Sequence, residues 1–180
     1  MKKLIIVILI FSFTGIFAAE LGLHQIAPTA GFILPEDDWE AGFQLGAVAN
    51  IGKILEDKIG LFPVVSYWSS QYKWGPSNST YDITMSNIKI GLDGHYDLSE
   101  KIEGVYAGAG LAINRLKIES PTYYTDGYGT SSHTDTEIGL SILGGYNLTI
   151  SDYPCFIEGR FDLISDLNTL GVKFGMFFDL

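Results

Sequence analysis

Cysteine is almost missing from this 180-residue chain, where Cys155 stands alone. One thiol can form no internal disulfide and no cysteine-rich metal cluster. Basic residues are scarce as well, 11 Lys and Arg against 21 Asp and Glu, for a formal net charge of −10. Removal of a leader carrying Lys2 and Lys3 would leave 9 bases against 21 acids, or −12. Phosphate backbones are bound by basic faces, so this balance argues against nucleic acid as a partner. The 6 prolines are few, and the 21 glycines follow no fixed period. Neither a collagen-like nor a disordered composition fits. Beyond residue 20 no run of about 18 apolar residues occurs, so the mature chain has no transmembrane helix. Yet 47% of the residues are hydrophobic and mean hydropathy is +0.21. The apolar surface must therefore be buried or bathed in lipid by strands.

The amino end reads as an address. Met1-Lys2-Lys3 precedes an apolar run from Leu4 to Phe11 that continues to Ala19, and the small residues Ala18 and Ala19 precede Glu20. This is the layout of a cleaved secretory signal peptide over 1–19, leaving one domain over 20–180. No cysteine lies near residue 20, so a cysteine-linked lipid anchor has no attachment point.

Side chains alternate along most of what remains, as strands require. Leu170, Val172, Phe174, Met176, Phe178 and Leu180 form one apolar row, opposite Thr169, Gly171, Lys173 and Gly175. Similar rows run through Ile138, Leu140 and Ile142, through Leu111 and Ile113, through Ile88, Ile90 and Leu92, through Phe43 and Leu45, and through Ile157, Phe161 and Leu163. Residues 58–70 are nearly all apolar, with Pro63 requiring a bulge in a closed sheet. Residues 21–34 carry Pro28 and show no consistent parity, but complete a count of eight strands. The expected fold is all-β, an eight-stranded antiparallel up-and-down transmembrane barrel. Short turns at 54–58, 97–101 and 149–154 would occupy one rim. The other rim would carry short loops at 35–38 and 165–168 and longer polar loops at 71–79 and 119–131, the asymmetry of outer-membrane barrels. Tyr96, Tyr146 and Phe178 fall at one rim; Trp39, Tyr67, Tyr72, Trp74 and Tyr81 gather toward the other, as two aromatic belts.

In such a barrel the second face is a lumen just wide enough to be filled by side chains. Its expected charges are Glu40, Lys89, Asp93, Glu137, Glu158, Arg160, Asp162 and Lys173. Charges at low dielectric need partners, so a polar network is expected in which Arg160 and Lys173 bind Glu158, Glu137 or Asp162. Lumen-facing glycines such as Gly110 and Gly145 would make room for larger neighbours.

The pattern resembles the small eight-stranded outer-membrane β-barrel proteins of the OmpA-transmembrane-domain, OmpX and OmpW type. Tyr96-Asp97-Leu98 and Tyr106-Ala107-Gly108-Ala109-Gly110 look like the turn and following strand of this group. The carboxyl end carries its assembly signal on Lys173, Gly175, Phe178 and Leu180, with Leu180 where an aromatic residue is usual. The resemblance implies a bacterial outer-membrane location, contact with outer-membrane lipid and lipopolysaccharide, and delivery by the barrel-assembly machinery. Nothing resembles an appended peptidoglycan-binding domain.

The chain also carries residues capable of chemistry. Ser131, His133 and Asp135 share a strand face, but residues i and i+2 have backbones nearly 7 Å apart at about 3.3 Å per residue, which strains a Ser-His-Asp relay. His95 is expected inward beside Asp93, and His24 is isolated. Glu36-Asp37-Asp38 reads as a solvated loop tip sooner than a cation site. Asn78-Ser79-Thr80 and Asn147-Leu148-Thr149 match the glycosylation pattern, which means little in a bacterial envelope. Tyr72, Trp74, Tyr123, Tyr124 and Tyr128 suit a contact surface, so loops 71–79 and 119–131 are candidate sites for a surface ligand. The expected function is non-enzymatic and cofactor-free: a structural or surface-interaction barrel with a filled polar lumen. The alternatives are a narrow transport barrel for small or hydrophobic solutes, and a soluble lipocalin-like barrel. The amino-terminal Gly-x-Trp signature of lipocalins is absent.

Overall fold

The computed structural model describes residues 21–180 except 56, 75–80, 125–126 and 166. Eight long strands follow in order: β1 Gln25–Pro35, β2 Gly42–Asn50, β3 Ile59–Trp74, β4 Tyr81–Asp97, β5 Val105–Tyr124, β6 Gly127–Ile150, β7 Tyr153–Ile164 and β8 Leu167–Met176. Two short pieces join them: Lys53–Ile54 pairs with the start of β3, and Phe178–Asp179 continues the last strand along β1. Each strand pairs antiparallel with the next, and β8 returns to β1 through Gly31↔Lys173 and its neighbours, closing the sheet. Closure removes the free edge that would otherwise offer unpaired backbone groups to lipid. The expected leader over 1–19 lies outside the described residues.

The turns are built where the chain tolerates positive φ. Ser151 and Asp152, at φ 48° and 73°, form the two-residue hairpin between β6 and β7, the backbone pair that matches the strand twist. Gly52, at φ 111°, sits at a bulge: Ile51 N donates to Leu61 O, and Leu61 N donates to Gly52 O. The registered β2–β3 ladder stops at Val48↔Val64, so Pro63, which has no N–H, lies in the gap beside this bulge. Pro28 interrupts the seam between β1 and the last strand in the same way, between Ile26↔Phe178 and Thr29↔Gly175.

Residues 25–35, which lacked a legible parity in sequence, alternate strictly. Ala27, Thr29 and Ile33 point in and are buried; Ile26, Phe32 and Leu34 point out. Apolar residues occupy both faces of this strand, which hid the period. The strands are also longer than expected on one side. Residues 71–74, 119–124 and 127–131 are paired strand rather than loop. The 20 residues of β5 and 24 of β6 run well past the 11 of β1 and 9 of β2, so the loop rim is raised over β3–β6.

Large apolar side chains cover the outside. Ile138, Phe32, Ile90 and Ile142 are 71%, 65%, 63% and 62% exposed. A girdle of this kind would drive aggregation in water, and hydrocarbon is the medium that matches it. The polar residues instead fill the middle of the cylinder, the reverse of a soluble, lipocalin-like barrel.

Candidate functional site

The lumen is stacked in three layers. Nearest the short turns, Ala27, Val48, Val64, Tyr106, Leu143 and Phe156 form an apolar cluster, with Phe62 and Phe177 packed against it. His95 is stacked between Phe62 and Tyr106, at ring distances of 4.2 and 4.6 Å. Nearest the loops, a second cluster joins Ile33, Trp68, Met85 and Leu167, with Trp39 and Leu116 against it. Between these lids lie the charges.

The middle layer holds three bases, Lys89, Arg160 and Lys173, and three acids, Asp93, Glu158 and Asp162, all buried. Strand β7 sets its pattern by placing Glu158, Arg160 and Asp162 on one face at every second residue. Arg160 is the hub. Its Nη2 donates to Asp93 Oδ1 at 2.8 Å, its Nε lies 3.2 Å from Asp162 Oδ1, and its Nη1 lies 3.6 Å from Glu158 Oε1. Lys89 Nζ donates to Asp162 Oδ1 at 2.6 Å and to Ser141 Oγ at 3.1 Å. Lys173 Nζ sits 2.9 Å from Glu158 Oε1, while Tyr106 Oη donates to Glu158 Oε2 at 3.0 Å. Each buried charge thus has an opposite charge in contact, as low dielectric demands.

Glycine makes this density feasible at two positions. A Cβ at Gly110 would overlap Asp93 Oδ1 and lie 3.4 Å from Arg160 Nη2. A Cβ at Gly145 would overlap the phenol of Tyr106.

Two expected lumen residues are placed differently. Glu40 lies just before β2 at the loop rim, half exposed, where its carboxylate accepts a 3.0 Å hydrogen bond from Lys73. The alternating pattern does not reach it, because β2 begins at Gly42. Glu137 faces inward but above the network, opposite Asn114, and its Oε2 is shielded without a hydrogen-bond partner among the described residues. Asp93, not Glu137, is the principal partner of Arg160. Sequence reasoning named Asp93 as inward but not as that partner; nothing in strand spacing predicts contacts across the lumen from β4 to β7. It also missed the two lids. Trp68, Ile33 and Phe156 share the polar parity of their strands, a signal masked by apolar residues on both faces.

The residues expected from the resemblance to carry an assembly signal lie on the last strand and its extension. Lys173 points into the network, Gly175 lies under the Phe156 ring, Phe178 faces outward, and Leu180 N donates to His24 O at 3.1 Å. Phe177 turns inward to pack on Phe156 at 5.3 Å. His133 and Asp135 pair at 2.8 Å but both are exposed above the girdle, so His133 is a surface group on the raised hairpin. Glu36 is tied to Asn168 Nδ2 at 2.6 Å, and Asp37 shapes the loop at φ 65°. Tyr72 packs against Trp39 with ring centroids 5.7 Å apart and the planes tilted by 51°. The side chains of Trp74, Tyr81, Tyr123, Tyr124 and Tyr128, and the Asn78-Ser79-Thr80 triplet, lie outside the described residues.

No protein-family model and no curated protein sequence matches the chain. Solved structures do. Ail, the attachment invasion locus protein of Yersinia pestis, in complex with the heparin analogue sucrose octasulfate, superposes with a TM-score of 0.54 at 11% identity, covering 87% of this chain and 100% of Ail. Neisserial surface protein A gives 0.56 at 14%, covering 89% and 99%. The outer membrane protein OprG of Pseudomonas aeruginosa gives 0.51 at 12%, covering 89% and 98%. The fold is that of a small eight-stranded outer-membrane β-barrel.

Proposed function

We propose that the chain is a non-enzymatic protein of the bacterial outer membrane, delivered behind a cleaved leader. It would present its raised β3–β6 hairpins at the cell surface on a barrel closed to solutes. The layered lumen carries this reading. A charge-neutral layer held by direct ion pairs lies between two apolar lids, and an ion crossing it would have to break buried pairs after shedding its own water at either lid. The turn end, where the described residues begin and end, is then periplasmic, and the loop end extracellular. Its apolar girdle meets the lipid, and the polar β5–β6 hairpin stands clear of it as a contact surface. The neighbour Ail, held with a heparin analogue, is a barrel of this fold that takes a polyanion. Among the described residues here, the extracellular end carries several acids, Glu36, Asp37, Asp38, Glu40 and Asp135 among them, so a different ligand is expected.

Recording from the purified full-length protein in a planar lipid bilayer tests the reading. Baseline current at physiological salt is expected. A steady unitary conductance would replace the closed barrel with the narrow transport alternative.

A further inference from the structure

The chain is poor in bases, and their placement is uneven. Lys89, Arg160 and Lys173 are consumed in the lumen, Lys73 pairs with Glu40, and Lys53, Lys58 and Lys101 lie toward the turn rim. Two remain on the outward face of the barrel, Arg115 and Lys117 on β5. They continue the lipid-facing row of Leu111 and Ile113, both more than half exposed, one step past its end. The same step on β4 passes from Ile90 and Ile88 to Ser86, and on β6 from Leu140 and Ile138 to Thr136 and Thr134. The register brings these together: Arg115 is opposite Ile88 and Thr136, and Lys117 is opposite Ser86 and Thr134.

Depth follows from the strand. Tyr96, exposed near the turn end of β4, marks the inner interface. From Tyr96 to Ser86 the strand climbs about 25 Å, at ~3.3 Å per residue and a tilt of ~40°, which is the height of the apolar band of such barrels. Lys117, opposite Ser86, therefore stands at headgroup level of the outer leaflet; Arg115, opposite Ile88 and about 5 Å lower on the same rise per residue, reaches that level along its long side chain, and three hydroxyl groups flank the pair. Arg115 is exposed and has no ion-pair partner among the described residues. Lys117 pairs at 2.8 Å with Glu119, the next residue on its face, but both side chains are more than a third exposed, and pairs screened by solvent in this way hold weakly.

We propose that Arg115 and Lys117, with Ser86, Thr134 and Thr136, form a docking surface for the phosphate groups of outer-leaflet lipid A. This rests on the outer-membrane reading and names one partner of that surface. The forked guanidinium takes two phosphate oxygens, the lysine supplies a second charge, and the hydroxyls complete the donor set. The acyl chains continue downward along Ile88, Ile113 and Ile138.

The test uses the full barrel in an uncharged sugar detergent, with binding of fluorescent diphosphoryl lipid A read by anisotropy and folding read by the unheated gel band. Arg115→Gln with Lys117→Gln should weaken binding roughly tenfold or more, while Arg115→Lys retains part of it and Lys101→Gln, at the opposite rim, leaves it unchanged. Dephosphorylated lipid A should bind the wild type and the double variant equally weakly. Glu119→Gln, which releases Lys117, should tighten binding. Equal affinity of the folded double variant and the wild type for the diphosphoryl lipid overturns the proposal. So does competition by millimolar inorganic phosphate, which would mark a simple anion site. Failure here leaves the bilayer conductance untouched, so the closed-barrel reading stands or falls separately.

Discussion

Arg160 concentrates the energetics of the lumen in one side chain, because its guanidinium touches Asp93, Asp162 and Glu158. Arg160→Met leaves Asp93 without its cation and removes one of two from Asp162 and Glu158, which keep Lys89 and Lys173; breaking a buried pair costs about 3–5 kcal/mol, and urea unfolding in lipid vesicles should show a midpoint lowered accordingly. A double replacement that also neutralises Asp93, Arg160→Met with Asp93→Leu, should recover part of the loss. Gly110→Ala removes no charge yet should also destabilise, because the new methyl occupies the place of Asp93 Oδ1. Outside the girdle, Ser99 N donates to Asp97 Oδ1 at 2.8 Å, and hydrogen bonding by the Ser99 side chain and backbone holds the Asp97 carboxyl below its ordinary value. A depressed carboxylate stabilises the turn at higher pH and loses that contribution as pH falls through the folded value. The Ser99 amide resonance should therefore titrate with a midpoint below that of an ordinary aspartate. Much of this scale was legible in sequence. Period-two spacing puts Glu158, Arg160 and Asp162 on one face, and charges inside a cylinder must pair. The choice of Asp93 over Glu137 was not legible, since it depends on which strands face each other across the lumen.

The strands differ in length, and the difference is their functional content. β5 and β6 share an unbroken register from Val105↔Tyr146 to Tyr124↔Gly127, so a hairpin stands above the girdle on a continuous backbone ladder. Polar composition between 119 and 131 suggested a loop, because Ser, Thr, Gly and Tyr carry little apolar period. A strand with water on both faces has no need of one. Its stability comes from the ladder below it, and little of the barrel depends on it in return. Replacing residues 119–132 by a two-residue Asn-Gly turn should leave the unheated protein migrating as a compact band on a detergent gel, with the boiled sample shifted. A variant that no longer shifts would mean that the raised hairpin is needed for closure. The first strand teaches the converse: Ile33 and Phe32 are both large and apolar, one in a lid and one in lipid, and no alternation survives in the letters although it is strict in space.

Across the whole molecule the three lumen layers act in series, which determines how a leak could arise. Each lid is apolar and would have to be wetted; the middle layer is neutral, with three bases against three acids. Opening one barrier leaves the others, so Phe62→Ala with Phe177→Ala, which thins the turn-side lid, should leave bilayer current at baseline. Trp68→Ala on the loop side should do the same. Conductance should appear only when both lids are thinned and the hub is lost together, as in Phe177→Ala, Trp68→Ala and Arg160→Ser combined, measured on protein whose gel shift shows it folded. A current from either lid variant alone would mean that one lid is the whole barrier. The charged layer would then be a lining for ions that have already entered, not a plug that excludes them, and the neutral pairing of its six groups would serve the stability of the cylinder and not its closure.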